Sequence, residues 1–518
     1  MRSFIREINN MKSQKSKIKS QNLNSEVKSF NPFFLKKYLI FLSLIFTVFV
    51  FYFSYYSIER VDTLNSYYYD LGIMDQVVYN TSRGRFLEMT NPTFLKNMSR
   101  FAIHFDPILA FFAPFYWLWP NFKVLLIGQA LIVGLGGLAI FLLSNLLLQD
   151  KKISFIFALF YFLNFHIARS LLFDFHAITL VIPLLILAFY FYHRKNYRLY
   201  YLFIFLSLLT KEHVGLFLAF LGIFYFLNSD KKNGLLTFLI GLFSFLLINF
   251  FIIPYFREGG HFALSYYQPI KSDIKNFLLN LFSGEKIDYL KRILLPFIFN
   301  FFSPLSFLLV VPEFLINYLS KNANMRSYYF HYQSLIIAAL FYGMILGYKK
   351  IDYFKNKGMR FFLIALFFLV NFYYFYQCYP LPFFVREKIV YHQISQEKKK
   401  SIYLWKKVLK DENIILATTP KLAPFFTQRK YYFNFLFDPA WYNLGYSDEE
   451  IFNIKKDVYK KADYIVINKD EIGDEEKDNA LSKIYNNFSR DKNFTLIYNQ
   501  GGIEVYKKSQ NSNVKTQN

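Results

Sequence analysis

The sequence has almost no cysteine and none of the common nucleotide-binding or metal-binding motifs. Its one cysteine, Cys378, excludes an internal disulfide and a metal cluster built from several cysteines. It contains no phosphate-binding loop, no dinucleotide-binding glycine fingerprint and no His-Glu-x-x-His pair. These absences argue against ATP-driven and redox chemistry and leave no strong metal-binding signature.

The sequence also lacks the even mixture of polar and apolar residues that soluble domains have. It is 54% hydrophobic and 22% aromatic over 518 residues. Its apolar residues form blocks of about 17 to 25, the length that crosses a bilayer. The sequence therefore predicts a mainly α, polytopic transmembrane helical bundle of about 11 spans. The predicted spans are residues 37–58, 122–148, 153–169, 177–193, 197–211, 213–228, 233–256, 290–303, 304–320, 331–348 and 359–378.

Acidic residues are also scarce, with 36 against 60 basic residues and a formal net charge of +24. Such an excess can indicate nucleic-acid binding. Here, however, the lysines and arginines lie in tails and short loops between the apolar blocks, as the positive-inside rule requires. We therefore predict a multi-pass protein of the cytoplasmic (inner) membrane, with a cytoplasmic N-terminus, the lipid bilayer as its surroundings and no nucleic-acid partner.

This topology divides the chain into four segments. Residues 1–36 contain no apolar stretch, so they predict a basic cytoplasmic tail rather than a signal peptide. Residues 37–379 form the transmembrane domain, with an outer loop at 59–121. The charged runs and β-type segments of residues 380–506 predict a small α/β domain on the extracytoplasmic side. Residues 507–518, rich in Ser, Asn, Gln and Lys, are expected to be disordered.

Two apolar segments do not fit a simple alternation of crossings. Parity requires that residues 290–320 cross twice or form a re-entrant pair, and we expect a break near Ser303 and Pro304 because proline lacks a backbone donor. Residues 105–120 are short and rich in Trp and Pro, so we expect a helix in the outer membrane interface rather than a span.

The same topology places many ionisable side chains at the outer ends of the spans. They are Asp70, Asp75, His104, Asp174, His176, Lys211, Glu212 and His331. Ionisable groups at such positions are costly and usually functional. We therefore predict a polar cavity at the outer leaflet. Asp70 and Asp75, two carboxylates five residues apart, are the candidates for acid–base or metal chemistry within it.

Simpler structural explanations exist for each of these side chains. Asp70 would cap a helix that begins at Leu71, and Asp75 would be solvated on the surface of that helix. The explanations for the others are satisfied interfacial hydrogen bonds (His104, His331), a structural ion pair (Lys211 with Glu212) and a mutual contact (Asp174 with His176).

A series of short motifs points to a family. In chain order they are Asp70-Leu-Gly-Ile-x-Asp75-Gln, Asn80-Thr-x-x-Gly84-Arg, His104-Phe-x-Pro107, Ala113-Pro114-x-Tyr, Gln129-Ala, Phe173-Asp-Phe-His176, Lys211-Glu212, Pro312-Glu313 with Asn317-Tyr-Leu-Ser320, and His331-Tyr332. Over roughly residues 50–350 they resemble a large uncharacterised family of prokaryotic membrane proteins that is grouped with the GT-C glycosyltransferases.

The resemblance implies a GT-C-like membrane enzyme that transfers a sugar from a polyprenyl-phosphate donor to an envelope glycan, lipid or protein acceptor on the outer face. By position, Asp70 matches the acidic residue of the first outer loop in such enzymes. Asp70 or Asp75 would then be the catalytic base, and both would be ligands of a divalent cation if the reaction needs one.

Other residues take supporting roles under this resemblance. Lys211 would contact the donor phosphate, with Arg83 or Arg85 as second choices. The residues expected to orient the sugar or the acceptor are His104, Asp174, His176, Glu212 and His331. Asp106 lies inside the His104 motif where no fixed acid is expected, so we assign it no role.

Two other functions remain open at this point. A lipid-linked glycan flippase or transporter would need polar residues deep within the spans, where the sequence has few: Asn164, His166, Asn249 and Asn300. A non-catalytic envelope-assembly protein would leave the conjunction of Asp70, His104 and Lys211 unexplained.

Overall fold

The computed structural model describes residues 32–91, 97–257, 266–267, 281–352, 356–437, 440–443, 445–473 and 479–509. The expected basic tail therefore lies outside the described residues, except for residues 32–36, which begin the first helix. The expected disordered tail also lies outside them beyond residue 509. Its first two residues instead complete the last strand, which ends at Lys508.

The chain is mainly helical, as predicted. The α-helices up to residue 378 are α1 (Pro32–Asp62), α2 (Ile73–Ser82), α3 (Ala113–Leu118), α4 (Lys123–Leu148), α5 (Lys151–Phe162), α6 (Phe165–Leu172), α7 (Val181–His193), α8 (Tyr197–Leu208), α9 (Val214–Leu227), α10 (Lys231–Leu247), α11 (Ile253–Arg257), α12 (Gly284–Leu294), α13 (Val311–Leu319), α14 (Ser334–Asp352) and α15 (Lys357–Cys378). A short hairpin, β1 (Glu88–Thr90) with β2 (Asn97–Ser99), lies in the first long loop.

Six segments of the described chain are long and apolar enough to cross a membrane. They are Lys37–Asp62, Lys123–Leu148, Lys151–Leu172, Lys231–Arg257, Ser334–Asp352 and Lys357–Cys378. The shorter apolar helices α7, α8 and α9 fall at three other predicted spans. The finding supports a multi-pass protein, whereas the predicted number of about 11 spans exceeds the six segments of sufficient length.

The predicted break in the block 290–320 is present. A 3₁₀ segment ends at Phe302 and a second begins at Pro304. Proline occupies an early position in both segments and again in α13, where its missing N–H leaves no helical hydrogen bond unmade. This block is therefore a chain of short helices rather than one long helix.

Helices α9 and α10 form a hairpin in which the two backbones touch. A Cβ atom at Gly222 would lie 2.2 Å from the backbone nitrogen of Phe238, and one at Gly241 would lie 2.4 Å from that of Ala219. Only glycine permits this approach, in the manner of small-residue contacts between membrane helices. The hairpin fixes the start of α9, which follows directly on the Lys211-Glu212-His213 turn.

The C-terminal domain is a small α/β unit, as the sequence predicted. Its five-stranded sheet has the order β4-β3-β5-β7-β6, from β3 (Leu416–Thr418), β4 (Tyr432–Asn434), β5 (Tyr464–Asn468), β6 (Phe494–Gln500) and β7 (Ile503–Lys508). Strands β3, β4 and β5 are parallel, and β7 pairs antiparallel with β5 and β6. Its α-helices are α16 (Gln396–Val408), α17 (Ala423–Phe426), α18 (Ala440–Asn443), α19 (Asp448–Lys455) and α20 (Ala480–Ser489).

Candidate functional site

Asp70 lies on a π-helical turn, Tyr68–Gly72, that runs directly into α2. The residue that flanks the start of this turn is Tyr67, and no side chain caps it. Asp70 therefore does not cap a helix. Its Oδ1 atom instead lies 3.2 Å from Nε2 of His176. Wide turns of this kind within helices are frequent at functional sites.

The loop that carries His176 is held from three sides. Asp174 has a φ angle of +113°, which is unusual for a residue with a side chain. Its carboxylate accepts hydrogen bonds from Arg60 Nε at 3.2 Å and Ser66 Oγ at 2.9 Å. Gln129 donates to the Asp174 carbonyl at 3.2 Å and accepts from the His176 backbone N–H at 2.9 Å. These contacts fix the backbone from which the His176 ring reaches the carboxylate of the π-helical turn.

His331 packs its ring against His176. The two ring centroids are 3.7 Å apart with an angle of 19° between the ring planes, and Phe173 stacks on His176 at 5.4 Å. Burial lowers the pKa of His331 well below its usual range, and the charges of His176 and Lys211 lower it further. His331 is therefore neutral at physiological pH and can serve as a hydrogen-bond partner.

His104 pairs with Glu212 rather than standing alone. Nδ1 of His104 lies 2.9 Å from Oε1 of Glu212, and the backbone N–H of Phe105 donates to Oε2 at 3.1 Å. Burial lowers the pKa of His104 to about 3, with the Lys211 charge adding to the effect. Across the residues that the structure describes, Lys211 makes no salt bridge, so the simple Lys211–Glu212 ion pair is not formed.

One cavity of about 1140 Å³ collects most of these side chains. Of the predicted residues, those that line it are Asp70, His104, His176, Lys211, Glu212 and His331. Asp174 does not line the cavity. Its bonds to Arg60 and Ser66 hold the loop from which His176 reaches the cavity. The buried pair of Arg100 and Asp106, joined at 2.8 Å, forms part of the same lining. The predicted convergence therefore holds for six residues.

The C-terminal domain closes one side of this cavity. Its contribution includes Lys421, Phe437, Asp470 and Glu471. Burial raises the pKa of Glu471 to about 7, and its Oε1 accepts a hydrogen bond from the Lys421 backbone at 2.8 Å. The sequence analysis treated this domain as separate from the site, because its strand pattern carries no sign of where it docks.

Asp75 lies outside the cavity and is fully buried. Its carboxylate accepts hydrogen bonds from Tyr116 at 2.6 Å, Thr427 at 2.7 Å and Gln428 at 2.9 Å. The expectation of a solvated Asp75 is therefore wrong. Burial raises its pKa to about 6. Because two of the three donors belong to the C-terminal domain, Asp75 joins that domain to the first loop.

Arg83 and Arg85 also lie away from the cavity. Arg85 donates to Asn80 Oδ1 at 2.8 Å and forms a 3.0 Å ion pair with Glu412 of the C-terminal domain. The guanidinium of Arg83 lies 5.3 Å from the ring centroid of Tyr79. Arg85 therefore joins the first loop to the C-terminal domain, Arg83 packs on Tyr79, and Lys211 is the phosphate candidate that lines the cavity.

The described residues contain no cluster of three or more potential metal ligands, that is, of His, Cys, Asp or Glu side chains arranged to hold a metal ion. Asp75 is occupied by its three donors and does not share the cavity with Asp70, so a cation bridging the two aspartates does not fit this arrangement.

Two further cavity residues, His213 and Glu313, lie in motifs of the sequence that gave them no role of their own. His213 follows Lys211-Glu212, and Glu313 lies in the Pro312-Glu313 motif, yet neither shows a spacing that is typical of a site. Both line the cavity, and their Nε2 and Oε2 atoms are 3.1 Å apart. Although Glu313 stood inside a quoted motif, only the folded chain shows that it meets His213.

Comparison with known proteins identifies the family. The family described as predicted membrane protein (DUF2079) matches residues 60–505. This match includes the C-terminal domain, whereas the motifs noted above covered only roughly residues 50–350. A search of curated proteins finds no match. Because the family match spans most of the sequence, the chain belongs to this family of predicted membrane proteins.

Proposed function

We propose that the protein is a membrane glycosyltransferase of GT-C type, which transfers a sugar from a polyprenyl-phosphate donor to an acceptor hydroxyl on the outer face of the membrane. The observation that carries this proposal is the cavity that holds both the Asp70–His176 pair and Lys211. One cavity thereby contains a carboxylate suited to proton removal and a cation suited to a phosphate.

The reaction is a single displacement at the anomeric carbon of the sugar. The acceptor oxygen forms a bond to this carbon while the bond from the carbon to the phosphate oxygen breaks. Asp70 takes the proton from the acceptor hydroxyl, and His176 at 3.2 Å orients the carboxylate. The phosphate leaves with its carrier as an anion, whose charge Lys211 stabilises. No further proton donor is needed.

The surroundings of the cavity suit a substrate with a lipid tail. The segment α10–α11 contributes Phe245, Phe250 and Pro254 to the cavity lining. The same segment, which is long and apolar enough to cross a membrane, exposes other large side chains such as Phe243 and Phe251. A polyprenyl chain can therefore lie along this apolar segment while its phosphate reaches the polar cavity.

The transport alternative has weaker support. The polar residues within the apolar segments make local contacts: Asn164 caps α6, and Asn300 donates to the carbonyls of Phe297 and Leu340. His166 Nε2 lies 3.3 Å from the carbonyl of Arg292. Asn164 Nδ2 and His166 Nδ1 make no hydrogen bond among the described residues, but the ionisable groups gather in the cavity, which supports chemistry at one end.

The proposal requires the C-terminal domain to lie outside the cytoplasm. We expect alkaline phosphatase, which is active only outside, to be active when it is fused after Lys508, and we expect a fusion within the basic segment at residues 349–360 to be inactive. The reason is the positive-inside rule applied to Lys349 and Lys350 at the end of α14. The opposite pattern would place the cavity on the cytoplasmic side and contradict the proposal.

The proposed reaction consumes a carrier-linked sugar. Deleting the gene should therefore cause one polyprenyl-phosphate sugar to accumulate in membrane lipid extracts, as measured by mass spectrometry. Wild-type protein should restore its level on complementation, whereas a variant with Asp70→Asn should not. Unchanged lipid-linked sugars in the deletion strain would count against a transferase.

A further inference from the structure

The cavity contains a second polar group of residues besides the Asp70–His176 pair. His213 stands just before α9, and Glu313 lies in the first turn of α13. Glu313 is 4% exposed and lines the cavity, as does His213. Burial by itself would lower the pKa of His213, but the carboxylates of Glu313 and Glu212 outweigh it and raise this pKa. The pair is therefore a histidine of raised pKa beside a carboxyl group.

The two facing atoms of this pair form an ion pair whose hydrogen-bond geometry is poor. Nε2 of His213 and Oε2 of Glu313 lie 3.1 Å apart, yet within the described part of the chain neither atom makes a well-aligned hydrogen bond. Buried polar groups are otherwise almost always satisfied, and an unsatisfied one costs about 1–3 kcal/mol. The Asp106 carboxylate in the same cavity shows the contrast, because Arg100 donates to both of its oxygens.

The chemical nature of a ligand for this pair follows from the side chains of His213 and Glu313. A carboxylate accepts hydrogen bonds, and an imidazolium donates them. A hydroxyl group does both, so neighbouring hydroxyls on a sugar ring match the pair. The lining of the cavity also includes Phe250 and Tyr332, and aromatic rings suit the C–H face of a sugar. A neutral sugar thus fits better than a second anion, which Glu313 would repel.

We infer that the pair of His213 and Glu313 binds the hydroxyl groups of the carrier-linked sugar and selects which sugar is transferred. This inference rests on the proposed function. Lys211 and His213 belong to the same turn and line the same cavity, so a phosphate at Lys211 leaves its attached sugar next to the pair. The carrier is held by Lys211, and the sugar is recognised by His213 and Glu313.

The experiment compares carriers with and without a sugar. Full-length protein with Asp70→Asn, in which transfer of the sugar is expected to be about 10²–10⁴-fold slower, is purified in detergent. Its affinity is measured for decaprenyl phosphate and for the glucosyl, galactosyl, mannosyl and N-acetylglucosaminyl esters of this carrier. We expect at least one ester to bind about 10- to 100-fold more tightly than the bare carrier, which is the effect of a hydrogen bond to a charged group.

The variants separate the two recognition elements. Adding Glu313→Gln should remove the additional affinity that the sugar gives to the carrier and leave the affinity for bare decaprenyl phosphate unchanged. His213→Gln should have the same effect. Glu504→Gln is the matched control, since Glu504 is a buried carboxylate bonded to Tyr485 and Tyr506 of the C-terminal domain and does not line the cavity.

Each outcome is decisive. If no ester binds more tightly than the bare carrier, or if the gain persists in both variants, the sugar subsite is overturned while carrier binding still supports the proposed function. If neither the bare carrier nor any ester binds, the proposed function fails and the inference fails with it. Should Glu313→Gln not fold, the result with His213→Gln decides.

Discussion

Replacing Asp70 by asparagine is expected to reduce sugar transfer by about 10²–10⁴-fold, the usual contribution of a general base. Asparagine keeps the shape of the side chain and an oxygen for the contact with His176, but it cannot take the acceptor proton. The loss should appear in kcat, measured as transfer of a labelled sugar from decaprenyl phosphate by protein purified in detergent. The variant should insert and fold normally, because the Asp70 side chain makes a single hydrogen bond among the described residues, to His176.

The matched control is Asp75→Asn, the same substitution five residues along the chain. Because Asp75 lies outside the cavity, this variant should retain far more activity than Asp70→Asn. An inactive Asp75→Asn beside a normal Asp70→Asn would move the base to Asp75. Normal transfer by both variants would show that the acidic pair is structural.

Replacing Asp75 by alanine is expected to loosen the C-terminal domain. The substitution leaves the donors of Tyr116, Thr427 and Gln428 without their acceptor, at a cost of about 1–3 kcal/mol for each buried group. Limited proteolysis should then cut the segment near residue 390, and thermal unfolding should begin at a lower temperature. Asp75→Asn should do less, since its amide oxygen still accepts.

A control and a pH series sharpen this test. Asp457→Ala removes an exposed carboxylate that pairs with Lys460, so it should leave proteolysis unchanged.

Burial raises the pKa of Asp75 from 3.8 to about 6. The docked state therefore holds its proton more tightly than the open state, and the contribution of Asp75 to docking falls as the pH rises from 4 to 6. When the pH is lowered from 7 to 5, the resistance of the wild-type protein to proteolysis should increase more than that of the Asp75→Asn variant. An identical response of both proteins would contradict this assignment.

Charge alone predicted much of the cavity. The positive-inside rule places alternate span ends on one side, and this brought Asp70, His104, Lys211 and His331 into the same prediction. All four line one cavity. The rule works because it needs only the order of basic loops along the chain. The rule does not show whether a short apolar helix such as α8 crosses the membrane. Only a helix that is long enough to span a bilayer can be identified as a span by its length.

The role of Asp75 could not be predicted from its neighbours. Its partners Thr427 and Gln428 lie 352 and 353 residues away along the sequence, beyond any local pattern. A spacing of five residues from Asp70 suggested a shared role, yet Asp70 lines the cavity and Asp75 is buried outside it. The pair of His213 and Glu313 escaped prediction for the same reason, because the two residues come from separate helices and meet only in the fold.

Asp70 and Asp75 both lie at the N-terminal end of one continuous helical segment, the π-helical turn followed by α2. Helix α2 has ten residues and begins where the π-helical turn of Asp70 ends. Its first turn carries Asp75, and its second carries Tyr79, whose hydroxyl donates to Glu412 at 3.0 Å. A displacement of the C-terminal domain would therefore move α2 as a unit, and with it the carboxylate of Asp70 beside His176. The position of Asp70 is thus coupled to the docking of a domain built from the far end of the chain.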